Sequence, residues 1–440
     1  MLKVAKFGGS SLSDAKQFAK VKSIVEKDPA RSVIVVSAPG RRFPDDNKIT
    51  DLLYLCMAHL KYDVSYEPIF EMISERYHAI KADLGLSIDL DAELDEIRSK
   101  MNKRMSVDYL VSRGEYLNAK LMAEYLGYHF VDSKDWITFG FDGKVDYDKT
   151  EQKLKEIHDV YRRLVLPGFY GALPNGEIKV FSRGGSDVTG AIAAASLDAD
   201  VYENWTDVTG ILMVDPKIVP NPKTISRVTY AELRELSYMG AAVLHEDTVF
   251  AVRRKDIPLN IRNTNEPEDA GTIIRESFAK DNEEETSRFI TGITGKKDFS
   301  IINVYKGNMS ENMHVIRKVL ELCDHYGVPI AQIPSGIDSF SVVVPTQKLT
   351  PKKYDLISAI KSECDVTDIK VMDGISLLAI VGRQMAYRTG IAGKIFAALG
   401  ANHVNIRIIE QSSDEINIMV GVYTEDFEKA IRVLYESFAK

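Results

Sequence analysis

Cysteine is scarce: Cys56, Cys323 and Cys364 stand far apart among 440 residues, in no CxxC or Cys/His spacing. Isolated thiols in odd number exclude a disulfide framework and suggest no metal site. Buried thiols in a reducing compartment are the expectation. Long apolar runs are absent too. No stretch approaches the roughly 18 residues needed to cross a bilayer, and Met1-Leu2-Lys3-Val4-Ala5-Lys6 lacks the apolar run of a secretory signal. A cytoplasmic chain with no membrane partner is expected. A surplus of positive charge is also missing, since 56 basic residues against 64 acidic ones leave −8. That balance gives no reason to expect a nucleic-acid partner. The 45% hydrophobic and 27% charged fractions are those of an ordinary globular protein. At 440 residues the chain exceeds what one core usually supports, so two or three domains are expected.

What is present is an alternation of strand and helix signals. Residues 2–7 are β-prone and end at Gly8-Gly9-Ser10-Ser11; Ser13-Asp14 can cap a helix running to about Lys27. Val33 to Ala38 is a continuous apolar run closed by Pro39-Gly40, as suits a strand covered on both faces. A mainly helical stretch runs from about Thr50 to Leu126. Strands recur near 161–166, 178–181 and 200–205, with an Ala-rich helix at 187–197. This pattern predicts an α/β domain with a mostly parallel sheet. The polar run Lys280 to Thr286 reads as its exit linker.

Beyond the linker lies an internal repeat. Phe299-Ser-Ile-Ile-Asn-Val matches Ile375-Ser-Leu-Leu-Ala-Ile at an offset of 76 residues, and two further pairs, Gly327/His403 and Ser341/Asn417, keep that offset. Each copy reads strand–helix–strand–strand–helix, with room for one more strand. That is a ferredoxin-like βαββαβ pattern.

Lys6-Phe7-Gly8-Gly9-Ser10-Ser11 closes the first strand and opens the first helix. Two glycines let a ligand approach the backbone, a helix N-terminus offers N–H groups to an anion, and Lys6 adds a charge. The lysine precedes the glycines, so this is not a Walker A loop. A purely structural turn is the alternative. Ser182-Arg183-Gly184-Gly185-Ser186-Asp187 repeats the design before a second helix, with a guanidinium suited to bidentate capture of a carboxylate or phosphate. Thr206-Asp207 follows another strand, where α/β sheets bind ligands, and Asp215-Pro216-Lys217 comes soon after. Ser112-Arg113-Gly114-Glu115 interrupts the helical run. Glu115 suits an ammonium group or a solvated helix face equally well.

Taken in order, these motifs resemble the aspartokinase family. KFGGSS at 6–11, SAPG at 37–40 with Thr50-Asp51-Leu52-Leu53, RGE at 113–115, RGGSD at 183–187 and WTDVTG at 205–210 follow its sequence of signatures. GAAVLH at 240–245 and IRNT at 261–264 complete the series, with Arg41 to Ile49 as extra residues in the second loop. The resemblance is dense over residues 1–280, and the repeat resembles the family's paired ACT domains. It implies an α/β amino-acid-kinase-like sheet sandwiched by helices, followed by two βαββαβ ACT domains. The expected boundaries are 1–280, 290–370 and 371–440. In this family the first repeat can be inserted into the second, and Phe289 to Ile293 can be a strand of the later unit.

The resemblance further implies transfer of the ATP γ-phosphoryl, with Mg2+, to the β-carboxylate of L-aspartate. The product would be 4-phospho-L-aspartate, at the start of lysine, threonine and methionine biosynthesis. Lys6 and Asp187 would be catalytic, with Asp187 orienting Lys6 or the metal. Glu115 would hold the substrate ammonium and Arg183 its α-carboxylate, with Thr50 nearby. Gly8, Gly9, Ser10, Gly184, Gly185, Ser186, Thr206, Asp207, Asp215 and Lys217 would join Lys6 around the nucleotide. Leu212, Lys217 and Ala242 depart from the family's usual tyrosine, arginine and lysine, all in the nucleotide half. An amino-acid effector, lysine or threonine or both, is expected near Asn308, Met309, Ser310, Asn312 and Ile330, with a homodimer formed through the ACT region. A chain stopping directly after the second repeat implies no fused dehydrogenase. Two rival readings stay open: a kinase for glutamate, acetylglutamate or carbamate, and a non-catalytic amino-acid sensor.

Overall fold

The burial pattern divides the chain into two bodies, each with its own sheet. The computed structural model describes residues 1–182, 184–240, 246–278, 289–308, 312–383, 385, 388–411, 413–414 and 416–439, with backbone alone at 246–249. The first body takes in the described residues of Met1–Ile211, Thr224–Tyr230 and Val243–Phe278. Its eight-stranded sheet runs Arg227–Thr229, Thr272–Arg275, Leu259–Asn263, Val201–Thr206, Lys3–Phe7, Arg31–Val36, Leu164–Pro167, His129–Phe130. All neighbours are parallel except Leu259–Asn263 against Thr272–Arg275.

The central strands are apolar on both faces because both faces are covered. Val33, Ile34, Val35 and Val36 are fully buried. Asp14 caps the helix Ala15–Lys27 by accepting the Gln17 N–H at 3.0 Å. That helix sinks Phe18, Val21, Ile24 and Val25 into the core at three- and four-residue spacing. The long helical stretch is four helices, Ile49–Lys61, Glu67–Leu84, Leu90–Lys100 and Val107–Leu126.

Several expectations need correction. The RGE segment does not interrupt a helix; it lies inside Val107–Leu126. Gly114 is there for proximity, since a Cβ on it would stand 2.9 Å from the Ala38 Cβ. The first glycine pair opens a short 3-10 turn, Gly9–Leu12, and the α-helix starts only at Ala15. The strand expected at 161–166 is Leu164–Pro167, because Tyr161 still donates to Ile157 O at 2.9 Å and ends the helix Tyr147–Val160. Ser37 and Ala38 fall beyond the strand Arg31–Val36. The polar run from Lys280 to Thr286 lies outside the described residues.

The second body takes in the described residues of Leu212–Lys223, Ala231–Ala242 and Ala279–Lys440. Its sheet is antiparallel, ordered Ser339–Pro345, Gly292–Tyr305, Asp368–Val381, Asn417–Tyr423, Ile406–Gln411. The two middle strands have 14 residues each, and both serve two cores. Ile302 and Val304 pack with Val315, Val319, Leu356 and Ile360. Ile293, from the same strand, packs instead with Leu378, Ile380, Ile395 and Leu434. Accordingly Gly292–Lys296 pairs with 377–381, and Phe299–Tyr305 pairs with 368–375, across register breaks between Lys296 and Ile301.

A buried ion pair ties the first sheet together. Glu203 is 1% exposed and accepts from Arg31 Nε at 2.7 Å and from Trp205 Nε1 at 2.9 Å. Burial pushes the Glu203 carboxyl up, but the Arg31 hydrogen bonds and charge outweigh it and leave it below its ordinary value. Removing Arg31 leaves Glu203 the more distant Lys3 Nζ at 3.4 Å and Arg262 Nη1 at 3.8 Å. Arg31→Met is expected to cost about 1–3 kcal/mol, read as a lower urea midpoint for the first body.

Candidate active site

Register builds the centre of the site. Lys6 pairs with Asn204 across neighbouring parallel strands, so both side chains leave the sheet on the same face. That face carries the helix Gly185–Ser196. Lys6 Nζ meets Asp187 Oδ1 at 2.5 Å and donates to Asn204 Oδ1 at 3.3 Å, while Asn204 Nδ2 donates to Asp187 Oδ1 at 3.2 Å. Lys6 is buried, whereas the Asp187 side chain is one quarter exposed at 25%. Tyr202, two residues before Asn204, donates its hydroxyl to Asp187 O at 2.9 Å. Sequence reasoning missed Asn204 and Tyr202; the alternation along a strand beginning at Val201 was the available signal.

Glycines set the remaining distances. Gly184 caps the helix in the left-handed region at φ 58°, and a Cβ on Gly185 would lie 2.3 Å from Phe169 Cδ2. Gly168 is pressed as closely on Ser186. On the other side, the Gly8 N–H donates to Trp205 O at 2.9 Å and the Gly40 N–H to Gly9 O at 2.8 Å. A Cβ on Gly9 would stand 2.9 Å from Ala38 O. The two glycine turns therefore flank the Lys6–Asp187 pair. Ser11 Oγ meets Thr264 Oγ1 at 2.7 Å behind the first turn, which ties the IRNT motif to it.

Glu115 approaches from the helix Val107–Leu126. It is 4% exposed, and its Oε2 has no hydrogen-bond partner. Burial pushes its carboxyl up to about 8, against the pull of the Ala38 N–H and the Arg113 charge. Asn118, one turn on, donates to Ser37 O at 2.7 Å. Arg113 is spoken for elsewhere, since its guanidinium lies 4.7 Å and 4.3 Å from the Tyr109 and Tyr116 ring centres. Thr50 is half-buried in the first turn of Ile49–Lys61.

The other sequence candidates scatter. Thr206 is half-buried and donates to Asp207 Oδ1 at 3.1 Å; Asp207 is exposed just beyond its strand. Arg183, Ala242 and His245 lie outside the described residues. Asp215 and Lys217 belong to the second body, where Asp215 Oδ1 accepts the Lys217 N–H at 2.9 Å. Leu212 is in that body too. In the repeat region the Asn308 N–H donates to Asp338 Oδ1 at 2.9 Å, Asn312 Nδ2 donates to Asn308 O at 3.0 Å, and Ile330 is half-buried. Met309 and Ser310 are not among the described residues.

Residues 1–263 match the model of the amino acid kinase family, and residues 378–438 match an ACT domain. Aspartokinase 3 of Bacillus subtilis is 34% identical over 455 residues, covering 99% of this chain and 98% of the relative. The chain belongs to the aspartokinase family. It is thus an ATP-dependent kinase with aspartate as acceptor. The solved aspartate kinase of Clostridium acetobutylicum is 47% identical with a TM-score of 0.91, covering 99% of each chain. Aspartokinase III of E. coli, solved with aspartate and ADP and with lysine and aspartate, shares the fold at 23% and 22% identity, TM-scores 0.72 and 0.74, and full coverage of both chains. The family name accounts for the parallel sheet and the antiparallel ACT sheet alike. Among the described residues no helix is long and apolar enough to cross a membrane.

An orphaned buried carboxylate leaves a pH signature. With its folded pKa raised to about 8, Glu115 takes up a proton on folding between its unfolded value and pH 8, so its cost to stability grows as pH rises through that window. Glu115→Gln is expected to melt higher than the parent at pH 8.5 and almost level with it at pH 5. Thermal denaturation at both pH values reads the difference.

Proposed function

We propose that the aspartokinase reaction runs at the junction of the two glycine turns, with Lys6 at its centre. The acceptor is the β-carboxylate of aspartate, whose pKa of about 3.9 leaves it ionised at neutral pH, so no general base is required. The barrier to be lowered is repulsion between that carboxylate and a polyanionic triphosphate. Lys6 supplies a fixed ammonium, and the N–H groups of Gly9 and Ser10 and of Gly184, Gly185 and Ser186 supply dipoles beside it. The observation that carries this reading is the 2.5 Å contact of Lys6 with Asp187, which joins both turns.

Glu115 receives the substrate's ammonium, and its unpartnered Oε2 is the support for that role. An arriving cation restores the ionised form that burial disfavours. Arg183 would take the α-carboxylate by its fork, with Thr50 donating a hydroxyl. Thr206 and Asp207 would line the nucleotide side. Mg2+ fits this donor set: Asp187 takes its Lys6 and Asn204 contacts on Oδ1 alone, leaving Oδ2 for a cation whose remaining ligands are phosphates and water. When bound it neutralises phosphate charge. Asp187 itself fixes Lys6 whether or not the metal is present.

The proposed division is a kinase domain over 1–280 and two ACT repeats over 290–370 and 371–440, the later one completed by Gly292–Lys296. A homodimer through the ACT region and an amino-acid effector near Asn308, Met309, Ser310, Asn312 and Ile330 go with it. Lysine is the first candidate, since an E. coli relative was solved with lysine bound.

Lys6→Ala is expected to fold and to lose roughly 10²–10³ in kcat, as for loss of one preorganised donor. Aspartate-dependent ADP release by purified enzyme measures it; turnover within tenfold of the parent counts against a central lysine. For regulation, calorimetric titration with lysine and with threonine is expected to give saturable heat and matching inhibition by at least one. Silence from both leaves the repeats as scaffold.

A further inference from the structure

The loop joining Val36 to Ile49 carries Gly40 at one end and delivers Thr50 at the other, yet it has no regular structure of its own from Ser37 to Lys48. Arg41 to Asp45 are exposed. Asp46, in contrast, is buried at 8% and faces Arg76, buried at 5% on the helix Glu67–Leu84. Arg76 Nη2 donates to Asp46 Oδ2 at 2.7 Å and Oδ1 at 2.8 Å, while Nη1 donates to Gly40 O at 3.1 Å. Arg42 adds Nε to Oδ2 at 2.9 Å and its backbone N–H at 3.0 Å. Hydrogen bonding from Arg42 and the Arg76 charge hold the Asp46 carboxyl well below the usual range. One guanidinium thus grips both arms of the loop.

The grip is passed on through contacts with no slack. A Cβ on Gly40 would stand 2.6 Å from the Gly9 carbonyl carbon, so the two backbones lie in direct contact. The Ile49 N–H donates to Pro39 O at 3.2 Å, which sets where Thr50 begins its helix. We propose that Arg76 is a positioning residue for phosphoryl transfer: by holding Gly40 and Asp46 it keeps the Gly9 turn and Thr50 in their working places. The proposal rests on the reading that Gly9 and Thr50 serve the two substrates. Displacements of about 1 Å far from the reacting atoms cost roughly 10²-fold in rate. A lysine keeps the charge but loses the planar fork that spans both Asp46 oxygens and Gly40 O.

The test uses the parent enzyme with Arg76→Ala, Arg76→Lys and, as control, Arg98→Ala, an exposed arginine of the helix Leu90–Lys100 stacked on Phe70 of the helix that carries Arg76. Aspartate-dependent ADP release gives kcat and both KM values, and melting is followed in parallel. Arg76→Ala is expected to lose roughly 10–100-fold in kcat, Arg76→Lys to stay at least tenfold down, and Arg98→Ala to stay within twofold. Added methylguanidinium should restore kcat of Arg76→Ala saturably while leaving the parent unchanged. Should Arg76→Ala not fold, Arg76→Lys decides alone. A folded Arg76 variant within twofold of parental kcat overturns the proposal, as does an equal loss in Arg98→Ala. A parent that releases no ADP with aspartate instead refutes the underlying site reading.

Discussion

A lysine held 2.5 Å from a carboxylate at the ends of parallel strands is the constraint on which this site depends. It needs three separate stretches of chain. The first strand brings Lys6, the pairing register puts Asn204 opposite it, and the second glycine turn starts the helix that presents Asp187. Each supplies what another lacks. A buried ammonium without partners is costly; the Asp187 carboxylate and the Asn204 amide pair with it and aim it. Because both contacts fall on one oxygen of Asp187, the ammonium is steadied without exhausting the carboxylate.

The neighbouring glycines answer to packing as much as to ligand access. Gly9, Gly40, Gly168 and Gly185 lie where any side chain would strike backbone or ring atoms. The ligand-facing turns are therefore seated on the scaffold at distances a larger residue forbids. Glu115 works the other way. It is an acid buried without a full set of partners, and the fold is less stable for it. Such a cost belongs with function, because stability and a poised site commonly pull against each other.

Much of this was legible in the sequence, and the limits have physical reasons. Lys6, the glycine pairs and Asp187 stand out because a strand-to-helix turn is encoded by adjacent residues. The 76-residue repeat was visible because its apolar pattern recurs whole. Asn204, Arg31 with Glu203, and Arg76 with Asp46 were not, since each matters only through a partner brought near by the fold. The RGE segment misled for a related cause. Glycine within a helix reads as a break, and nothing local tells that Ala38 needs the room. The opening 3-10 turn was equally hidden, because Ser13-Asp14 marks where the α-helix begins and leaves the glycines' own conformation unstated.

The long strands Gly292–Tyr305 and Asp368–Val381 carry a consequence for how the second body can have changed through descent. Each runs through both cores of the second body like a shared girder, so neither repeat is a detachable module. Trimming one would leave the other's sheet with an open flank, and the register breaks between Lys296 and Ile301 mark where the part serving one core passes into the part serving the other. The two copies of the repeat are thus joined edge to edge in one continuous antiparallel sheet.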